Sequence, residues 1–315
     1  MYTKEKDSFS SSNGVDTISC WSYIPDGGPR AIVQIAHGMA EHFGRYRAFA
    51  EYLTEKGFLV CGNDHLGHGE TAQAPEDLGY FGESNGWVNM TDDLHLMTKK
   101  MKLRYGDIPY FLIGHSMGSL LARAYLSCYG QELAGVVLIG TSGENPAAKT
   151  SLPLINLISR MKGDRYRSRL IYSLAFGGYN KKYEKGSRKL AWMSQDNEVL
   201  DSFKADPKCN FILTVAGFRD LMKVLLYVSR KDWAAEVPLK LPVILLSGDM
   251  DPVGDFGEGT REVFKRLQKA GLEDLSLKLY PELRHEILNE PGKEQIYKDV
   301  SDWLQKHLPS FDKGE

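Results

Sequence analysis

One stretch constrains this chain more than any other: Tyr110-Phe111-Leu112-Ile113-Gly114-His115-Ser116-Met117-Gly118-Ser119-Leu120-Leu121-Ala122. The apolar run before Gly114 reads as a short buried strand, and the run after Gly118, with small Ser119, Ala122 and Ala124, reads as a helix able to pack closely on it. Between them lies Gly-x-Ser-x-Gly. A strand that becomes a helix within so few residues strains the backbone at its apex, and Gly114 and Gly118 keep Cβ atoms out of the crowded flanks. Ser116 is therefore expected at the apex with its hydroxyl exposed, above the free N–H groups of the helix start. The alternative, a plain glycine turn between a strand and a helix, is disfavoured by this setting.

A serine hydroxyl is a poor nucleophile until a base takes its proton, and on an elbow of this kind the partners follow in the order acid, then histidine. Leu241 to Gly248 is a buried-strand pattern that ends in Gly248-Asp249-Met250-Asp251, so a carboxylate is delivered to the strand's C-terminal end. Leu275 to Tyr280 alternates as a last strand and leads to His285, whereas His307 falls in a terminal helix. Ser116, one of these aspartates and His285 form the expected catalytic set. The oxyanion of an acyl-transfer reaction also needs two N–H donors, one from the residue after the nucleophile and one from an earlier strand-to-helix loop. Met117 fills the first position. Ala31 to Ala36 reads as a strand delivering His37-Gly38-Met39-Ala40-Glu41-His42, which puts the Met39 amide in the second, with Gly38 as the turn before it.

The chain has 315 residues and a net charge of −2, enough for one large α/β domain with an insertion and without the basic footprint of a nucleic-acid binder. Cys20, Cys61, Cys128 and Cys209 are scattered without metal-ligand spacing, and His37 with His42 lacks a third ligand, so no metal and no organic cofactor is expected. The first residues have no apolar signal-like core and no segment is long enough to span a bilayer, which makes the cytoplasm the default location.

Along the chain, strands are expected near 15–24, 31–36 and 58–61, with a helix near 45–56. The loop Asp64-His65-Leu66-Gly67-His68-Gly69 reads as a structural turn below the site rather than a metal centre. A helix capped by Thr91, with Asp92 and Asp93 in its first turn and His95 on its surface, precedes the elbow. From 141 to 233 the strand-helix alternation stops and helical segments rich in aromatics and methionines take over. An insertion leaving at a strand's C-terminal end must sit over the catalytic edge, so 141–233 is expected as a helical cap on a core formed by 1–140 and 234–315. Helices near 258–270 and at the C-terminus, the latter with Ile296, Val300, Trp303 and Leu304, complete the core.

These pieces together resemble the monoglyceride lipase and lysophospholipase-like branch of the α/β-hydrolase fold, a group that includes the serine aminopeptidases. The matching residues are His37 through Tyr46, Asp64 through Gly69, Gly114 through Gly118, Asp206-Pro207, Gly248 through Asp251, and Tyr280 through His285. The resemblance implies a mostly parallel sheet flanked by helices, Ser116 as nucleophile, Asp251 rather than Asp249 as the acid, His285 as base, and the Met39 and Met117 amides as oxyanion hole. It implies two-step hydrolysis of a carboxylic ester with a partly apolar acyl part, with activity falling at acid pH as His285 is protonated. A short-chain or aromatic-ester esterase is the alternative, as are an acyltransferase to another alcohol and an aminopeptidase using cap carboxylates among Glu144, Asp164, Glu184, Asp196, Glu198, Asp201, Asp206 and Asp220. A catalytically silent binding module is disfavoured by the complete set of catalytic residues. Leu152, Leu154, Ile155 and Leu157 also suggest transient contact of the cap with a membrane surface.

Overall fold

The computed structural model describes residues 1–183 and 188–309. The chain runs β1 (Tyr2–Ser10), β2 (Thr17–Pro25), β3 (Ala31–Ala36), α1 (Arg47–Glu55), β4 (Phe58–Asn63), α2 (Gly86–Tyr105), β5 (Tyr110–His115), α3 (Met117–Tyr129) and β6 (Gly135–Ile139). It continues with α4 (Pro146–Lys162), α5 (Arg169–Phe176), α6 (Asn197–Ala205), α7 (Val215–Val228), β7 (Val243–Gly248), α8 (Glu258–Ala270), β8 (Leu275–Tyr280) and α9 (Lys293–Lys306).

The strands form one eight-stranded sheet in the order β1-β2-β4-β3-β5-β6-β7-β8. β1 and β2 pair antiparallel and β2 meets β4 antiparallel, while every later pairing is parallel. Strands β3, β4, β5, β6 and β7 are buried throughout, as parallel strands covered on both faces must be. Leu94, Met97, Leu121 and Leu138 belong to the core on one face, and Phe49, Val60, Ile113 and Trp303 to the core on the other. This is the α/β-hydrolase fold. Among the described residues no helix is long and apolar enough to cross a membrane.

Strand β1 is absent from the sequence reading. Its residues, Tyr-Thr-Lys-Glu-Lys-Asp-Ser-Phe-Ser, are mostly exposed and carry no apolar alternation; nine backbone pairs with β2 hold it at the sheet edge. The helix before the elbow also differs. It starts at Gly86 rather than at Thr91, whose hydroxyl donates to the Trp87 carbonyl at 2.8 Å. The orphan Gly86 N–H is capped from α7, by Asp220 Oδ2 at 3.2 Å. Asp93 is not a first-turn acid but a buried carboxyl that accepts Ser11 Oγ and the Ser12 N–H, tying down the β1–β2 hairpin. His95 is buried rather than on the surface, its ring 3.7 Å from that of Tyr129 and its Nε2 2.7 Å from Glu132.

Between β6 and β7 the described residues hold helices and loops and no strand. The α7 helix packs on α2 and α3, and α4 packs on α7. Leu190, Met193, Leu200, Phe203 and Cys209 form a small apolar cluster of their own. Both ends of this segment are tied to α3 by one cation. Arg123, fully buried, donates to the Ser142 and Val228 carbonyls at 2.7 Å each, and its guanidinium lies 4.5 Å from the Trp233 ring centre.

Candidate active site

Ser116 stands between β5 and α3 at φ 54°, ψ −120°, a conformation that L-residues rarely adopt. The turn tolerates no side chain on its glycines. A Cβ on Gly118 would lie 2.1 Å from the Ala36 carbonyl oxygen, and one on Gly114 2.4 Å from the Gly118 oxygen. The α3 helix opens at Met117 directly after the serine, so its first N–H groups have no partner within the helix.

His285 follows β8 and Asp251 follows β7, adjacent parallel strands, which brings the two loops together at one sheet edge. Their side chains meet at 2.8 Å between His285 Nδ1 and Asp251 Oδ2, both buried. Because the carboxylate only accepts, Nδ1 carries the proton and Nε2 keeps its lone pair. Asp251 is itself oriented by the Val253 N–H, 2.8 Å from Oδ1. Asp249 instead accepts the Glu282 N–H at 2.7 Å and turns the loop. Ser116, His285, Gly38, Met39 and Met117 line a single cavity of about 380 Å³. Most of its remaining wall is apolar and comes from residues 141–233, including Leu154, Ile171, Phe176, Trp192, Phe218 and Leu225.

The loop carrying Met39 is held from below by three buried histidines. His68 Nε2 accepts the Ala40 N–H at 3.2 Å while its Nδ1 faces the Leu66 carbonyl at 2.9 Å. His37 Nε2 accepts the His65 N–H at 3.0 Å, and His65 Nε2 donates to the His37 carbonyl at 3.2 Å. His37 and His68 each use one nitrogen as acceptor and the other as donor toward backbone, as neutral imidazoles do. Burial pushes His37 well below its ordinary value, His65 down to about 3 and His68 down to about 4. The loop over these residues is a structural turn. Ala40 above them sits at φ 55°, strain that the clamps hold in place.

Several residues near the site have no signature in the sequence. Gly140, at φ 57° after β6, passes so close that a Cβ would lie 3.1 Å from His285 Cε1 and 3.4 Å from Asp251 Oδ2. The Trp192 ring centre is 5.4 Å from that of His285. Glu41, Arg45, Tyr46, His115 and Glu286 form a largely buried polar cluster at the cavity, which Glu41, His115 and Glu286 help to line. Glu41 and Arg45 stand in the quoted loop motif, yet only burial shows that their charges face inward. His42, Asp206 and Cys209 also approach one another. There His42 Nδ1 accepts the Gly44 N–H at 3.2 Å, so its Nε2–H donates to Asp206 at 2.8 Å, which leaves no imidazole lone pair for a metal.

Six of the eight carboxylates considered for an amine-binding cap are engaged elsewhere. Asp164 pairs with Arg219, Glu144 with Arg266, Asp201 with Arg188 and Asp206 with His42; Asp196 caps α6 and Asp220 caps α2. Glu198 lies exposed in the first turn of α6, and Glu184 is outside the described residues. Among the described residues of 141–233, no acidic side chain lines the cavity.

Comparison with known proteins fits this geometry. The chain is 29% identical over 310 residues to a monoacylglycerol lipase of Mycolicibacterium smegmatis, covering 97% of this chain and 99% of that one. It is 24% identical to the human monoglyceride lipase, over 91% of this chain and 86% of the relative. The crystal structure of a thermostable carboxyl esterase from Bacillus coagulans in complex with glycerol superposes with a TM-score of 0.92 at 31% identity, covering 98% of this chain and all of that one. The model of the serine aminopeptidase S33 family matches residues 27–292, and the chain belongs to that family of α/β-hydrolases.

Proposed function

We propose that this protein is a serine ester hydrolase that cleaves carboxylic esters with an apolar acyl part, of the monoacylglycerol or lysophospholipid kind, through an acyl-enzyme on Ser116. The observation that carries the reading is the single cavity in which Ser116 and His285 meet an otherwise largely apolar wall, with Asp251 behind the base. His285 Nε2 takes the Ser116 proton as Oγ attacks the ester carbonyl. Asp251 holds the ring in the required tautomer and stabilises the imidazolium that forms. The Met39 and Met117 amides receive the oxyanion, each contributing about 3 kcal/mol to the transition state. The imidazolium then protonates the departing alcohol, and water repeats the sequence on the acyl-enzyme. Names of relatives that are monoacylglycerol lipases support the substrate class. The two carboxylates that line the cavity, Glu41 and Glu286, are already engaged by Arg45 and the Gly38 N–H, and no described residue of 141–233 adds another, which speaks against capture of a substrate amine.

The segment 141–233 serves as cap in this reading, and 1–140 with 234–315 as core. Its α4 and α5 helices supply the contact with a lipid surface. Ile155 is buried and Leu154 lines the cavity, but Leu157, Met161, Leu170 and Leu174 are exposed, and Leu174 also lines the cavity. Lys149, Arg160, Lys162 and Arg169 are exposed on the same two helices and their junction and make no ion pair among the described residues. Between 145 and 183 there are eight Lys and Arg against one Asp, so an anionic surface is the matching partner, at about 1 kcal/mol per basic residue close to it. Co-sedimentation with vesicles containing phosphatidylglycerol, but not with phosphatidylcholine alone, is expected; equal absence from both would remove this contact.

The test of the main reading is hydrolysis of p-nitrophenyl esters from acetate to palmitate by wild type and Ser116→Ala. Medium or long chains are expected to be preferred, with the rate lost in the variant. Undiminished hydrolysis by Ser116→Ala would refute the mechanism, and a peak at acetate would convert the reading to a short-chain esterase.

A further inference from the structure

At the polar side of the cavity, which Glu41, His115 and Glu286 line, the loop bearing Met39 and the loop bearing His285 are joined by a set of buried charges that the hydrolytic steps above do not use. Glu41 Oε1 accepts the Gly38 N–H at 2.5 Å and the Tyr46 hydroxyl at 2.7 Å. Its Oε2 accepts from Arg45, whose two terminal nitrogens also reach the Glu286 carboxylate at 3.2 and 3.1 Å. His115, the residue before the nucleophile, faces this set with both ring nitrogens. Its Nε2 lies 3.2 Å from the His285 carbonyl oxygen, which can only accept. Its Nδ1 lies 2.8 Å from the Tyr46 oxygen, whose own proton is committed to Glu41, and 3.4 Å from Glu41 Oε1. Both nitrogens therefore need a proton.

Charge counting leads to the same state. Glu41 and Glu286 carry two negative charges and Arg45 one positive, in a region where His115, Glu41 and Glu286 are each at most 3% exposed. An uncompensated buried charge is costly, and a proton on His115 makes the set neutral. Burial by itself would lower the His115 value, but the Glu41 hydrogen bond and the two carboxylate charges outweigh it and raise it. Glu41 is pushed up by burial and down more strongly by Arg45 and His115, ending well below the usual carboxylate range.

We infer that His115 is a buried imidazolium and that, with Glu41, it is a positioning residue for the ester hydrolysis, locking the Met39 loop and the base into one unit. Glu41 fixes the loop through the Gly38 N–H, one residue before the Met39 amide. His115 fixes the backbone of His285 through its carbonyl. The two rings are 4.8 Å apart, so a proton on His115 places a positive charge directly beside the base. The groups facing His115 are Glu41 and Tyr46 from the Met39 loop and the turn after it, and His285 and Glu286 from the loop after β8, with Arg45 between the carboxylates and Asp251 on the far side of His285.

This inference rests on the mechanism proposed above. Its test compares wild type, Glu41→Gln, His115→Gln and Tyr46→Phe with p-nitrophenyl butyrate, measuring kcat, KM, the pH profile of kcat/KM and thermal melting. Glu41→Gln is expected to lose about tenfold or more in kcat with KM within about threefold. His115→Gln is expected to move the acid limb of kcat/KM upward by about half a pH unit or more, a readout that a merely structural role would not shift. Folded variants with kcat within about twofold and the acid limb unmoved would overturn it. If Glu41→Gln does not fold, Tyr46→Phe, which removes only the hydroxyl linking Glu41 to His115, decides in the same way. Ser116→Ala separates the two levels: an inactive Ser116→Ala beside a fully active, folded Glu41→Gln and His115→Gln overturns only this inference, whereas an active Ser116→Ala overturns the reading beneath it.

Discussion

Replacing His68 by glutamine should make the protein markedly less sensitive to acid. His68 is fully buried between the Ala40 N–H and the Leu66 carbonyl, and burial pushes its value from 6.5 down to about 4. At pH 5 the unfolded chain binds a proton at this position and the folded protein does not. Stability rises with pH wherever the unfolded state binds more protons, so the contribution is complete above 6.5 and is lost as the pH falls toward 4. From 6.5 to 5 is a step of 1.5 units, worth about 2 kcal/mol at about 1.36 kcal/mol per unit. Glutamine offers one donor and one acceptor to the same backbone groups and never ionises. Urea unfolding followed by tryptophan fluorescence at pH 7 and pH 5 is the assay. The wild type should lose about 2 kcal/mol more than His68→Gln between the two conditions. Equal losses would refute the burial argument, as would an NMR titration of folded wild type with a midpoint for His68 near 6.5.

Two further outcomes follow from the geometry. Gly118→Ala places a Cβ 2.1 Å from the Ala36 oxygen and 2.6 Å from that of His37, both backbone, so about 3 kcal/mol of stability should go together with the site. Thermal melting reads the first and titration with a fluorophosphonate the second; a wild-type rate per titrated site would contradict the crowding. Arg123→Met strands the buried Val228 carbonyl and the half-buried Ser142 carbonyl, and about 3 kcal/mol should be lost, seen as a drop of several degrees in Tm. Unchanged melting would show that the two bonds are dispensable.

How much of this could be read from the residues depends on how local the cause is. The elbow is dictated by neighbours in sequence, Gly114, Ser116 and Gly118, while strands β5 and β7 announce themselves by apolar runs and β8 by alternation, so the fold and the approach of His285 to Asp251 were legible. Strand β1 was not, because pairing to β2 rather than side-chain burial holds it. The start of α2 was misplaced because its cap, Asp220, lies on a helix 134 residues away in the chain. His95 looked like a surface residue because its aromatic and carboxylate partners, Tyr129 and Glu132, come from a different element. The cluster of Glu41, Arg45, His115 and Glu286 carries charges that a linear reading assigns to solvent, and only the convergence of three loops turns them inward.

The anchoring of the inserted segment by Arg123 bears on how such a molecule diversifies. Since a single side chain of α3 grips backbone carbonyls at Ser142 and Val228, these two bonds do not depend on the side chains of the segment between them. The grip is indifferent to what that segment is made of. Since α7 itself packs on α3, it is the part of the cavity wall carried by α4, which packs on α7, that mutation can rebuild with least disturbance to the helix beginning after Ser116, and chimaeras that exchange it keep the same foundation. Selectivity and chemistry are thereby free to change at different rates within one chain.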